Sequence, residues 1–257
     1  MSQSNDVKSA SRVIQILELL SHHSEGLTFS QIQSRLDIPK SSLSSLLATI
    51  SKDRWIDFDQ ISKTYRSGMR AWETSQRFVR NLKIAESAED HLIELRNLLN
   101  MTVHLAIRDG RDVVYVSQMK ANIDDSLPSF VGGRLPASAT ALGKALLSGL
   151  PNTTVSRLYD KVQLQRFSEF TVTELPHLLR VLDETRKNGF AEANGDFRRD
   201  IFCIASPIVD TEGNVVASIS CTIPKEQLDS FGKIANKMRD LVVGQAQEIR
   251  REIGYSA

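Results

Sequence analysis

Apolar residues recur in steps of three and four along the first fifty positions, and the step then changes to two. In SRVIQILELLSHH, Val13, Ile14, Leu17 and Leu20 fall on one side of a helix with Glu18 opposite. Gly26 closes the connection that follows, and in LTFSQIQSRL Thr28 is placed to cap a helix whose inward residues are Ile32 and Leu36. Pro39 separates this helix from a third segment, in which Leu43, Leu46, Leu47 and Ile50 form one buried stripe. Ser41, Ser42, Ser44, Ser45 and Thr49 fall on the opposite side, with Lys40 as the only charge of the predicted helix. Serine is a mediocre helix former because its hydroxyl competes for nearby backbone groups, so two serine pairs there need a reason.

Two short helices joined by the turn DIP make a helix-turn-helix, whose second helix enters the major groove by its N-terminal half. The serines occupy that half. Short hydroxyls let the helix axis approach base edges and bond phosphate oxygens, and the amides at the helix start favour phosphate too. From composition alone a solvated helix face accounts for the serines as well as a reading surface does. The next segment decides. RWIDFDQISKTYRSG alternates apolar and polar residues at Trp55 to Phe58, turns through Asp59 to Ser62 and returns through Thr64, Tyr65 and Arg66. A hairpin directly after the second helix of the motif is a wing, with Lys63 and Arg66 in reach of phosphates. Thr28, Lys40, Ser41, Ser42, Ser44, Ser45, Lys63 and Arg66 are therefore the expected DNA-contacting residues.

MRAWETSQRF and LKIAESAEDHLIELRNLLNM continue in helical periodicity as a connector, packing either on the chain's own core or on a second copy. Beyond it, TVHLAIRDGRDVVYVSQM reads as a hairpin turning at Asp109 and Gly110, and FCIASPIVDTEGNVVASISCTIP as a second one turning around Asp210 to Asn214. Helices are predicted over ATALGKALLSGL, over ELPHLLRVLDETRKNG ending on Gly189, and over about 225–253 with Leu228, Phe231, Ile234, Met238, Leu241, Val242 and Ile249 inward. Hairpins with helices packed around them make an α+β domain.

Composition changes this picture little. With 257 residues, 41% hydrophobic and 25% charged, the chain is ordinary and long enough for two domains. Residues 1–80 hold 11 basic and 8 acidic side chains, a mild bias compatible with nucleic acid. A run of about 18 apolar residues is lacking, as is a basic-then-apolar signal, so the cytoplasm is the default compartment and no membrane partner is expected. Two cysteines, Cys203 and Cys221, make no disulfide framework.

Catalytic equipment is missing: no GxSxG, HExxH, phosphate-cradling glycine loop or CxxC occurs, and the five histidines are scattered. His104 is a core or pocket residue. No cofactor and no metal are expected. In VVASISCT, Val216, Ser218, Ser220 and Thr222 share one strand face, and this hydroxyl row faces either solvent or a polar cavity. In VGGRLPASATALGKALL, a strand leaves through Arg134, Leu135 and Pro136, and small residues then open a helix whose first amides favour an anion. A small carboxylate suits that end.

The order of SRVIQILELL, LTFSQIQSRLDIPKSSLSSLLATI and IDFDQISKTYRSGMRA resembles the DNA-binding domain of IclR-type (isocitrate lyase regulator) bacterial transcription factors. LPASATALGKALL and the CIASPI…G-N-V-V-A-S-I-S segment extend the resemblance over nearly the whole chain. It implies an α+β fold with a winged helix-turn-helix domain (1–68), a linker helix (69–80) and a GAF-like effector-binding and oligomerisation domain (81–257). It further implies a homodimer or dimer of dimers on a pseudo-palindromic duplex operator, more often a repressor, with a small organic acid as effector. Carried over by position, the amides of Ala141 and Leu142 hold the carboxylate with Ser138 nearby, Ser220 and Thr222 join from the strand, and Cys203 sits by the pocket wall. Two departures stand out. Ser138 replaces a histidine, and Gly195, Asp196 and Asp200 with Arg198 and Arg199 replace an acidic pair and glycine. The arginines are either a second anion contact or surface. The competing readings are a thiol-based redox sensor or enzyme using Cys203 and Cys221, and an architectural DNA-binding protein with a vestigial pocket.

Overall fold

In the first of the chain's two units, Met1–Asn81, the three predicted helices and the hairpin are all present. The computed structural model describes residues 7–81, 83–121, 129–229 and 232–255. The unit runs α1 (Lys8–Ser21), β1 (Leu27–Thr28), α2 (Phe29–Leu36), α3 (Lys40–Lys52), β2 (Ile56–Asp59), β3 (Thr64–Ser67) and α4 (Met69–Asn81). Its core is Ile16, Leu20, Leu27, Ile32, Ile38, Leu43, Leu47, Ile50 and Ile56. The stripe of α1 differs from the expected one. Ile16 and Leu20 are buried while Ile14 is 56% exposed, because the helix is turned so that Val13 and Leu17 flank the seam. The Thr28 cap is a full capping box: Gln31 N–H donates to Thr28 Oγ1, and Gln31 Oε1 accepts from Thr28 N–H at 2.8 Å. Asp37, at φ 48°, ends α2 in the left-handed region, and Ile38 plugs the core between the two helices. The third helix runs on to Lys52, so Lys40 is not its only charge. Two-residue β1 was not foreseen; it pairs with β3, giving an antiparallel sheet in the order β1-β3-β2.

The second unit, Leu82–Ala257, is built on a six-stranded antiparallel sheet in the order β6-β5-β4-β9-β8-β7. Its elements are α5 (Lys83–Leu99), β4 (Thr102–Asp109), β5 (Asp112–Met119), β6 (Arg134–Pro136), α6 (Ala141–Ser148), α7 (Asn152–Leu158), α8 (Leu175–Asn188), β7 (Ala191–Asn194), β8 (Ile201–Val209), β9 (Val215–Pro224) and α9 (Lys233–Tyr255). Helices cover both faces. On one, Ile84, Ala88, Leu92 and Leu95 of α5 and Met238, Val242 and Ile249 of α9 meet Leu105, Ile204, Ile219 and Cys221. On the other, α6 and α8 pack on Ala106, Tyr115, Ala193 and Ala205.

The last helix begins later than predicted. A 3-10 turn takes Lys225–Gln227, and the Asp229 carboxylate accepts from the amides of Lys233 and Ile234, fixing the start there. Leu228 packs on the core from outside the helix, and Phe231 lies outside the described residues. Among the described residues no helix is long and apolar enough to cross a membrane.

Candidate functional site

In the first unit α3 buries Leu43, Leu47 and Ile50 and turns the other way with Lys40, Ser41, Ser44 and Ser45 exposed. Ser42 is half-buried at the edge of that face. Ser45 Oγ donates to the Ser41 carbonyl (3.1 Å) and Thr49 Oγ1 to the Ser45 carbonyl (2.8 Å), so each hydroxyl is parked on the helix and keeps its acceptor lone pairs outward. The amides of Ser41 and Ser42, in the first turn, have no intrahelical acceptor. Thr28 differs from this set: its hydroxyl is committed to capping α2. At the wing, Asp59 Oδ1 accepts from the amides of Ile61 (2.7 Å) and Ser62 (3.1 Å), and its other oxygen holds Arg66 at 2.9 Å. Those backbone donors, with Arg66, hold the Asp59 carboxyl below the usual carboxylate range. Lys63 is exposed at φ 55° in the turn. Arg66 therefore stands in an exposed ion pair, an interaction weak enough to be exchanged for a phosphate.

In the second unit the period-two pattern of β9 resolves the open question about its hydroxyls. Ser218, Ser220 and Thr222 are buried, 0%, 2% and 7% exposed, on the face covered by α6. Ser218 donates to the Leu142 carbonyl (3.1 Å), pinning the helix to the strand. Ser220 and Thr222 line a cavity of about 70 Å³ together with His104, Tyr115, Thr140, Ala141, Leu142, Asp196, Phe197, Arg198 and Cys203. At roughly 10–15 Å³ per water, that is room for a handful of waters or one small organic molecule.

The start of α6 forms one wall. Thr140 caps it, accepting from Gly143 N–H at 3.0 Å, while the Thr140 carbonyl takes the Lys144 amide. The amides of Ala141 and Leu142 precede any intrahelical acceptor. Gly143 is required here, because a Cβ would lie 2.1 Å from the Ala137 carbonyl oxygen. Ser138 is buried in the 3-10 turn before α6 but does not line the cavity; its side chain lies beside Tyr159, and Ala139 and Thr140 take the wall instead.

Two features escaped the sequence. Asp196 lies in the wall, and its carboxylate is paired with Lys144 of α6, both nearly fully buried, while Lys144 Nζ also donates to the Glu192 carbonyl at 3.0 Å. Burial of Lys144 on an otherwise amphipathic-looking helix left no periodic signal. The second is a polar cluster around His104, with Gln118 and Ser129. Arg198 lines the cavity while its guanidinium grips Asp200, and Arg199 is surface, paired to Glu169.

The cysteines are separated by the sheet. Cys203 touches the cavity and Thr222 Oγ1 (3.1 Å), whereas Cys221 is packed in the α5–α9 core. Burial pushes the Cys203 thiol up to about 11 and Cys221 well above its ordinary value, so neither is a reactive thiolate near neutral pH.

A winged helix with an exposed hydroxyl face, in one chain with a domain holding a small, mostly apolar pocket edged by hydroxyls, defines a DNA-binding regulator with an effector domain. Residues 9–60 match the IclR helix-turn-helix domain and residues 76–251 match the C-terminal domain of bacterial transcriptional regulators of the IclR type. The chain belongs to the IclR family of transcriptional regulators. The HTH-type transcriptional regulator XynR of Escherichia coli (strain K12) is 30% identical over 251 residues, 98% of this chain and 99% of the relative. The HTH-type transcriptional repressor AllR of Klebsiella pneumoniae is 30% identical over 227 residues, covering 88% and 84%. In fold, an IclR homolog from Microbacterium hydrocarbonoxydans, complexed with 4-hydroxybenzoate, superposes with a TM-score of 0.82 at 24% identity over 95% of this chain and 98% of the other. These relatives are regulators, and the enzyme and thiol-sensor readings fall with the inert, separated cysteines.

Proposed function

We propose that the chain is a repressor whose operator affinity is set by a small organic acid. The observation that carries this reading is the cavity whose wall is shared by the first residues of α6, Ala141 and Leu142, with Ser220, Thr222 and Cys203 of the sheet. The carboxylate is held by the Ala141 and Leu142 amides and the two hydroxyls, the helix dipole adding to the attraction. Asp196 does not oppose an anion there because Lys144 neutralises it. The name of AllR supports repression, and the 4-hydroxybenzoate held by the Microbacterium homolog supports an acid.

On the DNA side, Ser41, Ser42, Ser44 and Ser45 read the major groove, and Lys40, Lys63 and Arg66 contact backbone phosphates. Thr28 acts through the start of α2 rather than by its own hydroxyl. Reading a two-fold operator takes two copies, so the working species is a homodimer or dimer of dimers, built from a winged-helix domain (1–68), a linker helix (69–80) and an effector domain (81–257). Ligand favours one arrangement of the copies over another and so shifts the population able to span both half-sites.

Thermal-shift screening against aliphatic and aromatic acids tests the reading. Stabilising hits that also change operator retention in a mobility assay are the expected result. Silence across the panel, with intact DNA binding, points instead to a DNA-binding protein with a vestigial pocket.

A further inference from the structure

Ile61, at the tip of the wing, is 96% exposed; among the described residues the next large aliphatic side chain, Val7, reaches 66%. A lone exposed aliphatic residue is ordinary on a protein surface, but this one is held out. The turn of residues 60–63 closes on the pairing of Asp59 with Thr64 in the β2–β3 register. Asp59 Oδ1 accepts from the Ile61 amide at 2.7 Å and from the Ser62 amide at 3.1 Å, and Ser62 Oγ meets Thr64 Oγ1 at 2.7 Å. Lys63 then turns the chain back in the left-handed region, at φ 55°. Below the turn the Phe58 and Tyr65 rings pack with centroids 4.6 Å apart. The amides of Ile61 and Ser62 are therefore spent on the protein's own carboxylate rather than offered to a phosphate. What the tip presents is an aliphatic side chain between exposed Gln60 and Ser62, with Lys63 and Arg66 beside it.

We propose that Ile61 is a specificity residue: it enters the minor groove beside each half-site as an apolar wedge and selects an A·T floor there, a TA step above all. This rests on the reading of the wing as a DNA-contacting element and adds a base preference to it. Two cations flanking the tip suit the two phosphate walls of a groove roughly 6 Å wide. At the floor, a G·C pair raises the guanine amino group, a donor that an aliphatic side chain cannot answer and that fills the space it needs; A·T pairs have no such group. Wedges that part a base step cost least at TA, where the stacking yields readily. The serines of α3 face the other groove, so the two preferences are separable.

The test uses the full-length protein and the duplex it selects from a random-sequence pool. A·T pairs outside the half-sites are replaced one at a time by G·C, and then by inosine·C, which keeps the major-groove face of G·C but lacks the minor-groove amino group. In each flank at least one position is expected at which G·C weakens binding about fivefold or more and inosine·C restores it to within about twofold. Ile61→Ser removes this discrimination while leaving half-site preference and melting temperature unchanged, and Ile61→Leu keeps it. The assignment is overturned if no flanking G·C weakens binding, if inosine·C behaves as G·C, or if Ile61→Ser discriminates as well as the parent. A change of assembly size in Ile61→Ser without DNA overturns it too, the tip then facing a second copy. Salt dependence separates the wedge from the reading beneath it. If Lys63→Ala flattens the salt plot while flanking pairs stay indifferent, the wing sits on phosphates alone; if neither responds, the wing is off the DNA. Either result removes the wedge.

Discussion

Ser45 occupies the middle of the exposed face of α3, with its hydroxyl resting on the Ser41 carbonyl. A carboxylate there meets the phosphate field of the duplex at close range, so Ser45→Glu is expected to abolish specific operator binding. Because the position is exposed, the melting temperature is expected to move by no more than surface changes usually cause, about 0.5 kcal/mol in stability. Circular dichroism melts beside a mobility assay check both halves, and retained binding would mean that another surface reads the DNA. His104 makes a second prediction at this scale. Its folded pKa of about 3 lies below the unfolded value of 6.5, so between these the unfolded chain binds one proton more than the native one. Stability is therefore fully present above pH 6.5 and falls on acidification toward pH 3 by about 1.4 kcal/mol per pH unit from this group. His104→Phe flattens that slope in urea titrations run between pH 6.5 and 4.5.

The helix α6 shows how one element joins core, cavity and charge. Gly143 lets its first turn rest on the Ala137 carbonyl, and Gly143→Ala is expected to destabilise the second unit by about 3 kcal/mol, the upper end for overpacking. Lys144 neutralises Asp196 from the same helix. Lys144→Met leaves a buried carboxylate alone, which costs on the order of 3–5 kcal/mol and sets a negative charge against an anionic ligand; chemical denaturation and acid binding should both register it. The helices and hairpins were largely legible in the sequence, because amphipathic periods of 3.6 and 2 and the Gly and Pro punctuation that bounds them are local signals. Elements too short to carry a period were not: β1, with two residues, and β7, whose AEAN is held by pairing with β8. The cavity was legible through Ala141, Leu142, Ser220 and Thr222, which sit on a helix start and a hydroxyl strand face. Asp196 and the Gln118–Ser129 support of His104 were not, since 52 positions separate Lys144 from Asp196 and only tertiary packing brings them together. Ser138 was misplaced for a related reason: in a tight 3-10 turn, adjacent side chains leave in different directions.

For the whole molecule, the proposed phosphate contacts predict a salt law. If Lys40, Lys63 and Arg66 each meet a phosphate in both copies of a dimer, operator affinity should drop by about a thousandfold between 50 and 200 mM monovalent salt. Lys63→Ala should lower the slope of the logarithmic plot by about 2 for the dimer, with little change in sequence preference. A slope unaffected by the substitution removes the wing from the interface. The 11 basic against 8 acidic residues in positions 1–80 give only a shallow overall field, so the dependence must come from these few local contacts rather than from bulk charge.

One strand carries two chemistries back to back: Ser218 toward α6 with Ser220 and Thr222 toward the cavity on one face, Ala217, Ile219 and Cys221 toward the α5–α9 layer on the other. Sensing is thus written in parity. Losing a single residue between Val215 and Ser218 would hand aliphatic groups to the acid and hydroxyls to the oil, ruining recognition and packing in one stroke while leaving the composition almost untouched. A substitution on β9 changes one side chain, whereas a change in its count turns over every side chain beyond it.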